Sequence, residues 1–257
     1  MKALGKLLFK YIFGGEGLFF IFIFPVLLLG IMGEIFISSS QPGMVHDTAR
    51  TFINGISVSS IISFGIMMIS TIVTDFKTSV IMKRIGATKV SNLTFVGIIL
   101  CIFLFTSFFS FFYVRLIGTL LYGWRDGINW NVGFYSGMWN GIPWVMLAAA
   151  TSVLLGLLLS SLCKNIKQVQ MIGNLIYFPI SILSGGFAPI TSIKNSSFLN
   201  GLSYINPFKY SLDPYYDKIG TQGLDISTGE IFIYLAASLA IISLLIILIK
   251  KNLKWTT

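Results

Sequence analysis

Asp75-Phe76-Lys77-Thr78-Ser79-Val80-Ile81-Met82-Lys83-Arg84-Ile85-Gly86-Ala87-Thr88-Lys89-Val90-Ser91 is a polar, basic segment set between two apolar runs, residues 52–73 and 93–114, neither of which carries a charge. Each run holds about 20 residues, the length a helix needs to cross a hydrocarbon core of roughly 30 Å. The stretch therefore reads as two membrane spans joined by a charged loop. Outward from it, apolar windows at 17–37, 142–162, 169–187 and 231–249 complete six predicted spans. No run alternates strictly between apolar and polar residues, and lipid leaves no partner for free backbone groups. The predicted fold is therefore an all-α membrane bundle forming one domain over residues 1–257.

Composition agrees: 55% hydrophobic residues, 11% charged residues and a mean hydropathy of +0.85 leave too little polar surface to cover a soluble globule. The net charge of +9 sits at span ends and not on a soluble domain, which argues against nucleic acid as a partner. With both termini placed in the cytoplasm, the inside gathers Lys2, Lys6, Lys10, Lys77, Lys83, Arg84, Lys89, Lys164, Lys167, Lys250, Lys251 and Lys254. The outside keeps Arg50, Arg115, Arg125, Lys194, Lys209 and Lys218, diluted by Asp47, Asp126, Asp213, Asp217 and Asp225. That excess of inner Lys and Arg, about two to one, fixes the predicted orientation.

Lys2, Lys6 and Lys10 share one helical face and Leu4, Leu7, Leu8 and Tyr11 the other, so residues 1–15 are expected to lie as an amphipathic helix on the inner leaflet. A surface anchor and a contact for a cytoplasmic partner both fit that helix. Pro25 is expected to kink the first span; Glu34, close to Ser38, Ser39 and Ser40, reads as an interfacial acid and Arg115 as a snorkelling residue. Trp124, Trp130, Tyr135, Trp139 and Trp144 mark an outer interfacial belt. Gly133, Gly137 and Gly141 fit either a close helix contact in a dimer or an irregular outer segment. Cys101 and Cys163 read as packing residues, too far apart for a disulfide.

Pro179 and the run Ile182-Leu183-Ser184-Gly185-Gly186-Phe187-Ala188-Pro189-Ile190 interrupt the fifth span. Such breaks survive at membrane depth only where protein or a wet cavity satisfies the backbone, so a short re-entrant or extracellular helical element is predicted here. It runs towards Ser203-Tyr204-Ile205-Asn206-Pro207-Phe208-Lys209-Tyr210, and the rest of 188–228 is expected to be a polar outer loop. No phosphate-cradling G-x-x-x-x-G-K-[ST] loop is present, no His, Cys or carboxylate cluster has metal spacing, and His46 reads as a loop residue. The chain is thus expected to be no enzyme and to bind no cofactor. Few charges lie within spans, which disfavours ion coupling and suits an apolar or amphipathic substrate.

The residues of two segments carry a resemblance to the membrane subunits of type-2 ABC exporters. In that family the first inner loop reads like Glu-x-x-x-Gly-Thr-Leu-x-x-Leu-x-x-Thr-Pro-x-Ser, and here Asp75, Thr78-Ser79-Val80, Lys83-Arg84, Thr88-Lys89 and Ser91 stand in similar places. Its fifth span ends in Leu-Ser-Gly-x-Phe-x-Pro followed by Leu-Asn-Pro-x-x-Tyr. Leu183-Ser184-Gly185-Gly186-Phe187-Ala188-Pro189 and Ile205-Asn206-Pro207-Phe208-Lys209-Tyr210 are similar to that pair. The resemblance implies a multi-pass permease of the bacterial plasma membrane, surrounded by lipid and paired with a second copy or a paralogue. It implies separate cytoplasmic ATPase subunits that carry ATP and Mg, coupled through Asp75, Lys77, Lys83 and Arg84. Ser184, Gly185, Gly186, Phe187, Pro189, Asn206 and Pro207 would form an outer gate motif. The implied activity is export of a drug, antibiotic or membrane-active peptide; the alternative is a scaffold or sensor that docks a cytoplasmic partner without transport.

Overall fold

The structure, a computed structural model, describes residues 14, 18–41, 43–78, 92–220 and 224–252. The expected interfacial helix over 1–15 and the basic segment 79–91, with Lys83 and Arg84, fall outside them. The described residues are helical, with no strand. A π-helical turn, Phe19–Ile23, leads into α1 (Phe24–Ser38). Next come α2 (Val45–Ser63), a π-helical stretch Phe64–Ile69 and α3 (Ser70–Thr78), then α4 (Asn92–Tyr122) and α5 (Ser136–Leu162). The C-terminal half holds α6 (Ile166–Leu183), α7 (Ile190–Asn195), α8 (Ser197–Ser203), α9 (Lys209–Lys218) and α10 (Thr228–Asn252).

Five of these are long and apolar enough to cross a membrane among the described residues: Ile21–Ser38, Val45–Lys77, Thr94–Tyr122, Gly137–Leu162 and Thr228–Asn252. The sixth expected span, 169–187, is represented by α6, whose first turns carry Lys167, Gln168, Gln170 and Asn174. Pro25 falls in the first turn of α1, directly after the π-helical turn, in backbone that is helical on both sides.

One rod organises the bundle. Backbone angles remain right-handed helical through both junctions of the π-helical stretch, so α2 and α3 form a continuous helix of 33 residues, Val45–Lys77, about 50 Å long. In its most apolar stretch 94% of residues are buried, against 11% in α10, so the first is the centre of the bundle and the second its exposed edge. Phe52, Ile53 and Ile56 join a core with Leu29, Val114 and Tyr122. Ile61, Ile62 and Ile66 join a second with Phe111, Val145 and Tyr215, and Phe64, Ile69 and Phe76 a third with Phe95, Phe103 and Leu157.

Lipid gives helices no hydrophobic reason to associate, so close packing of small side chains has to do it. The rod is built for that: Gly55, Ser57, Ser59, Ser60, Ser63 and Gly65 are all buried. Ser57, Ser60 and Ser63 each donate to a carbonyl of their own helix, at 2.6 to 2.9 Å, and Ser70 and Thr71 do likewise.

The stretch 188–228 departs from the expected polar loop. Two short helices, α7 and α8, follow the Pro189 turn, and α9 is a further helix whose Leu212, Tyr215 and Tyr216 are buried against α5 and α10. Its charges and phenols find partners inside the protein, which is how a polar sequence becomes core.

Candidate functional site

The turn after α6 rests on the rod. Ser184 ends the helix, and Gly185 follows with φ of +77°, a conformation that favours glycine. The Gly186 N–H then donates to the Ser181 carbonyl at 2.8 Å. The carbonyls of Gly185 and Gly186 sit over Gly55: a Cβ at Gly55 would lie 2.5 Å from the Gly185 oxygen. Asn206 Nδ2 donates to Ser184 Oγ at 2.8 Å, its Oδ1 accepts from the Phe208 N–H at 3.1 Å, and the Tyr216 hydroxyl donates to the Ser184 carbonyl at 3.1 Å. Phe187 packs edge-on to Tyr177, Pro189 precedes α7, and Pro207 lies in the turn before α9. Two motifs separated by some twenty residues of sequence are thus brought into one hydrogen-bonded unit against the central helix.

Beside it Asp213, buried in α9, takes Lys209 Nζ at 3.0 Å and Lys194 Nζ at 3.4 Å. Lys209 also donates to Ser203 Oγ at 3.0 Å and stands 4.5 Å above the Tyr204 ring, and the Tyr234 hydroxyl donates to Asp213 at 3.4 Å. The motif is therefore tied to α7, α8 and α10 by charge as well as by hydrogen bonds.

Arg115 corrects the snorkelling expectation. It has no solvent exposure, lies 4.5 Å above the Phe111 ring and donates to the Gly133 carbonyl at 2.7 Å, to Asn54 Oδ1 and to the Tyr215 hydroxyl. Burial pushes the Tyr215 and Tyr216 hydroxyls well above the usual phenol range, so both stay neutral donors. The sequence held a signal: Leu116, Ile117, Leu120 and Leu121 continue the apolar run past Arg115, which places the charge inside the helix and not at its end. The glycines at 133 and 141 are filled from within the chain, since a Cβ at Gly133 would meet Thr119 and one at Gly141 would meet Tyr215.

At the other end of the rod, Lys77 Nζ donates to the carbonyls of Ser160, Ser161 and Cys163 at 3.1 to 3.3 Å. A lysine on the open carbonyls of a helix C-terminus is favoured by both hydrogen bonding and the helix dipole. It joins α3 to the end of α5. Asp75 is half-buried two residues before it. Lys77→Met is expected to lower stability by about 1 kcal/mol, read from thermal unfolding of the detergent-solubilised protein.

Between the two ends the rod crosses α5 at very short range. A Cβ at Gly65 would lie 1.8 Å from Ser152 Oγ, and one at Gly156 2.0 Å from the Gly65 carbonyl oxygen. Ser152 Oγ donates to the Ile61 carbonyl at 2.9 Å. The crossing lies within the π-helical stretch, whose wider turn is a frequent mark of functional positions in helices. Gly65 and the Ser152-x-x-x-Gly156 pair are visible in the sequence, but nothing there says that they meet.

A continuous helix thus has a basic stretch of sequence after one end, a close crossing in its middle and a proline- and glycine-containing turn over the other. Among the described residues no three His, Cys, Asp or Glu side chains are placed to hold a metal ion. A family model described as ABC-2 type transporter matches residues 2–217. No curated protein and no solved structure matches the chain.

Proposed function

The chain belongs to the ABC-2 type transporter family, and on that premise we propose that it is the permease subunit of an ATP-driven bacterial exporter for a hydrophobic or amphipathic compound. Family membership makes it a multi-pass membrane protein that associates with an ABC ATPase. In the proposed cycle two permeases, identical or paralogous, each receive the ATPase stroke through residues 75–91, with Asp75, Lys77, Lys83 and Arg84 at the contact and both termini on the same cytoplasmic side. ATP and Mg stay on the ATPase subunits.

The observation that carries this reading is the unbroken Val45–Lys77 rod. A push on the residues that follow Thr78 would act on a helix whose far half touches Gly185 and Gly186. Displacement near Lys77 would pivot at the Gly65–Gly156 crossing and shift the floor beneath the Ser184–Asn206 unit. A continuous helix touched at these two places supports that reading.

Reconstitution with the cognate ATPase in sealed vesicles tests it. Lys83→Glu combined with Arg84→Glu is expected to lower ATP-dependent substrate accumulation by about tenfold or more while leaving assembly of the permease intact. Unchanged transport in the double variant would show that coupling runs elsewhere. No ATP-dependent accumulation by the wild-type complex would favour a docking scaffold.

A further inference from the structure

The end of the rod remote from Lys77 opens on a cavity of about 330 Å³ between α1, the start of α2 and the turn at Pro189. Arg50, Thr51 and Asn54 give it donors, and Phe36 and Phe52 an apolar flank. Asp47, exposed and one turn before Arg50, is the carboxylate on the same wall.

Its electrostatics are unusual. The Arg50 guanidinium stacks 3.6 Å above the Tyr135 ring and donates to the Ile219 carbonyl at 2.7 Å. On the far side of Asn54 lies Arg115, wholly buried, 5.9 Å from the same ring. Its Nε has no hydrogen-bond partner, and neither arginine forms an ion pair with a carboxylate among the described residues. A guanidinium removed from water without a counter-anion is unfavourable, and its field is weakly screened in so dry a place. Asn54 spends its oxygen on Arg115 and the Tyr215 hydroxyl and its Nδ2 on the Tyr135 hydroxyl, so Tyr135 and Asn54 bind the two arginines into one electropositive unit. That unit backs a cavity with an apolar flank.

We propose that this cavity binds the anionic head of an amphipathic molecule, a phosphate or carboxylate carried on a hydrocarbon chain. Arg50 is the direct ligand, and Arg115 supplies the standing positive charge behind Asn54. The chain lies along Phe36 and Phe52. The site does not depend on the transport reading, because binding is measured on the purified chain without an ATPase.

The full chain in neutral detergent is titrated with dihexanoyl phosphatidylglycerol, with dihexanoylglycerol and with inorganic phosphate, and bound species are counted by native mass spectrometry. Saturable binding of the phosphatidylglycerol is expected, about tenfold weaker in Arg50→Gln, partly restored in Arg50→Lys and tighter in Asp47→Asn. Competition by inorganic phosphate would support the site with the head alone as the recognised group; failure to compete would support it with the chain required as well. Binding of dihexanoylglycerol as tight as that of the phospholipid overturns the proposal. So does an Arg50→Gln protein that unfolds at the wild-type temperature and binds phosphatidylglycerol unchanged.

Discussion

Gly156→Val is expected to destabilise the protein by about 3 kcal/mol or more, among the largest effects of any single substitution in the chain. The first new carbon would stand 2.0 Å from the Gly65 carbonyl oxygen and 3.0 Å from its carbon. Both are backbone atoms, so no change of side-chain rotamer relieves the clash, and α5 has to move away from the rod. The Ser152 bond to Ile61 would stretch with it. Gly30→Ala is the control: nothing stands within 4 Å of a Cβ there, and no loss is expected, because alanine has the higher helix propensity. Thermal unfolding of the two variants in detergent, followed by circular dichroism, reads the difference directly. Equal unfolding temperatures would mean that the rod and α5 do not cross at these glycines.

Asp213→Asn is expected to cost about 3–5 kcal/mol, through the charge it strands and not through the volume it changes. Lys194 is 26% exposed and can turn its ammonium to water, but Lys209 is 4% exposed and has no such route. Without Asp213, Lys209 would keep Ser203 Oγ and the Tyr204 ring as partners, neither carrying a full negative charge. The companion change Lys209→Met is predicted to recover much of the loss, because an apolar side chain of similar length needs no counter-charge. If Asp213→Asn alone unfolds like wild type, the ammonium of Lys209 reaches solvent in the membrane-bound protein.

The helical bundle was legible because apolar run length is a direct consequence of bilayer thickness, and the spans expected at 52–73 and 93–114 lie within the helices Val45–Lys77 and Asn92–Tyr122. Both helices extend beyond those windows because the sequence windows stop at charge, whereas Arg50 and Arg115 are accommodated by tyrosines and carbonyls that come from distant segments. The same limit hid α9. Lys209, Asp213 and Lys218 in ten residues read as a wetted loop until Lys194 and Ser203 are seen to answer them. Phenylalanine was ambiguous for a related reason: Phe76, Phe95 and Phe103 are buried and Phe105, Phe198 and Phe232 exposed, yet in lipid both environments are apolar. The meeting of Ser184 with Asn206 was legible only as a pair of motifs. The bond between them, and the Tyr216 bond to the same residue, depend on how α9 folds back.

The hydroxyls of the central helix have a consequence for motion. Ser57, Ser60, Ser63, Ser70 and Thr71 spend their protons on carbonyls one turn back along the same backbone. Those bonds travel with the rod and survive any small axial slide or twist of it. Resistance comes instead from the bonds to other segments: Arg50 and Asn54 at one end, Ser59 to Tyr177 and Ser152 to the carbonyls of Ile61 and Ile62 in the middle, and Lys77 at the other end. A shaft with self-contained polarity keeps its own bonds in any displacement, so the cost of moving it is set by its neighbours.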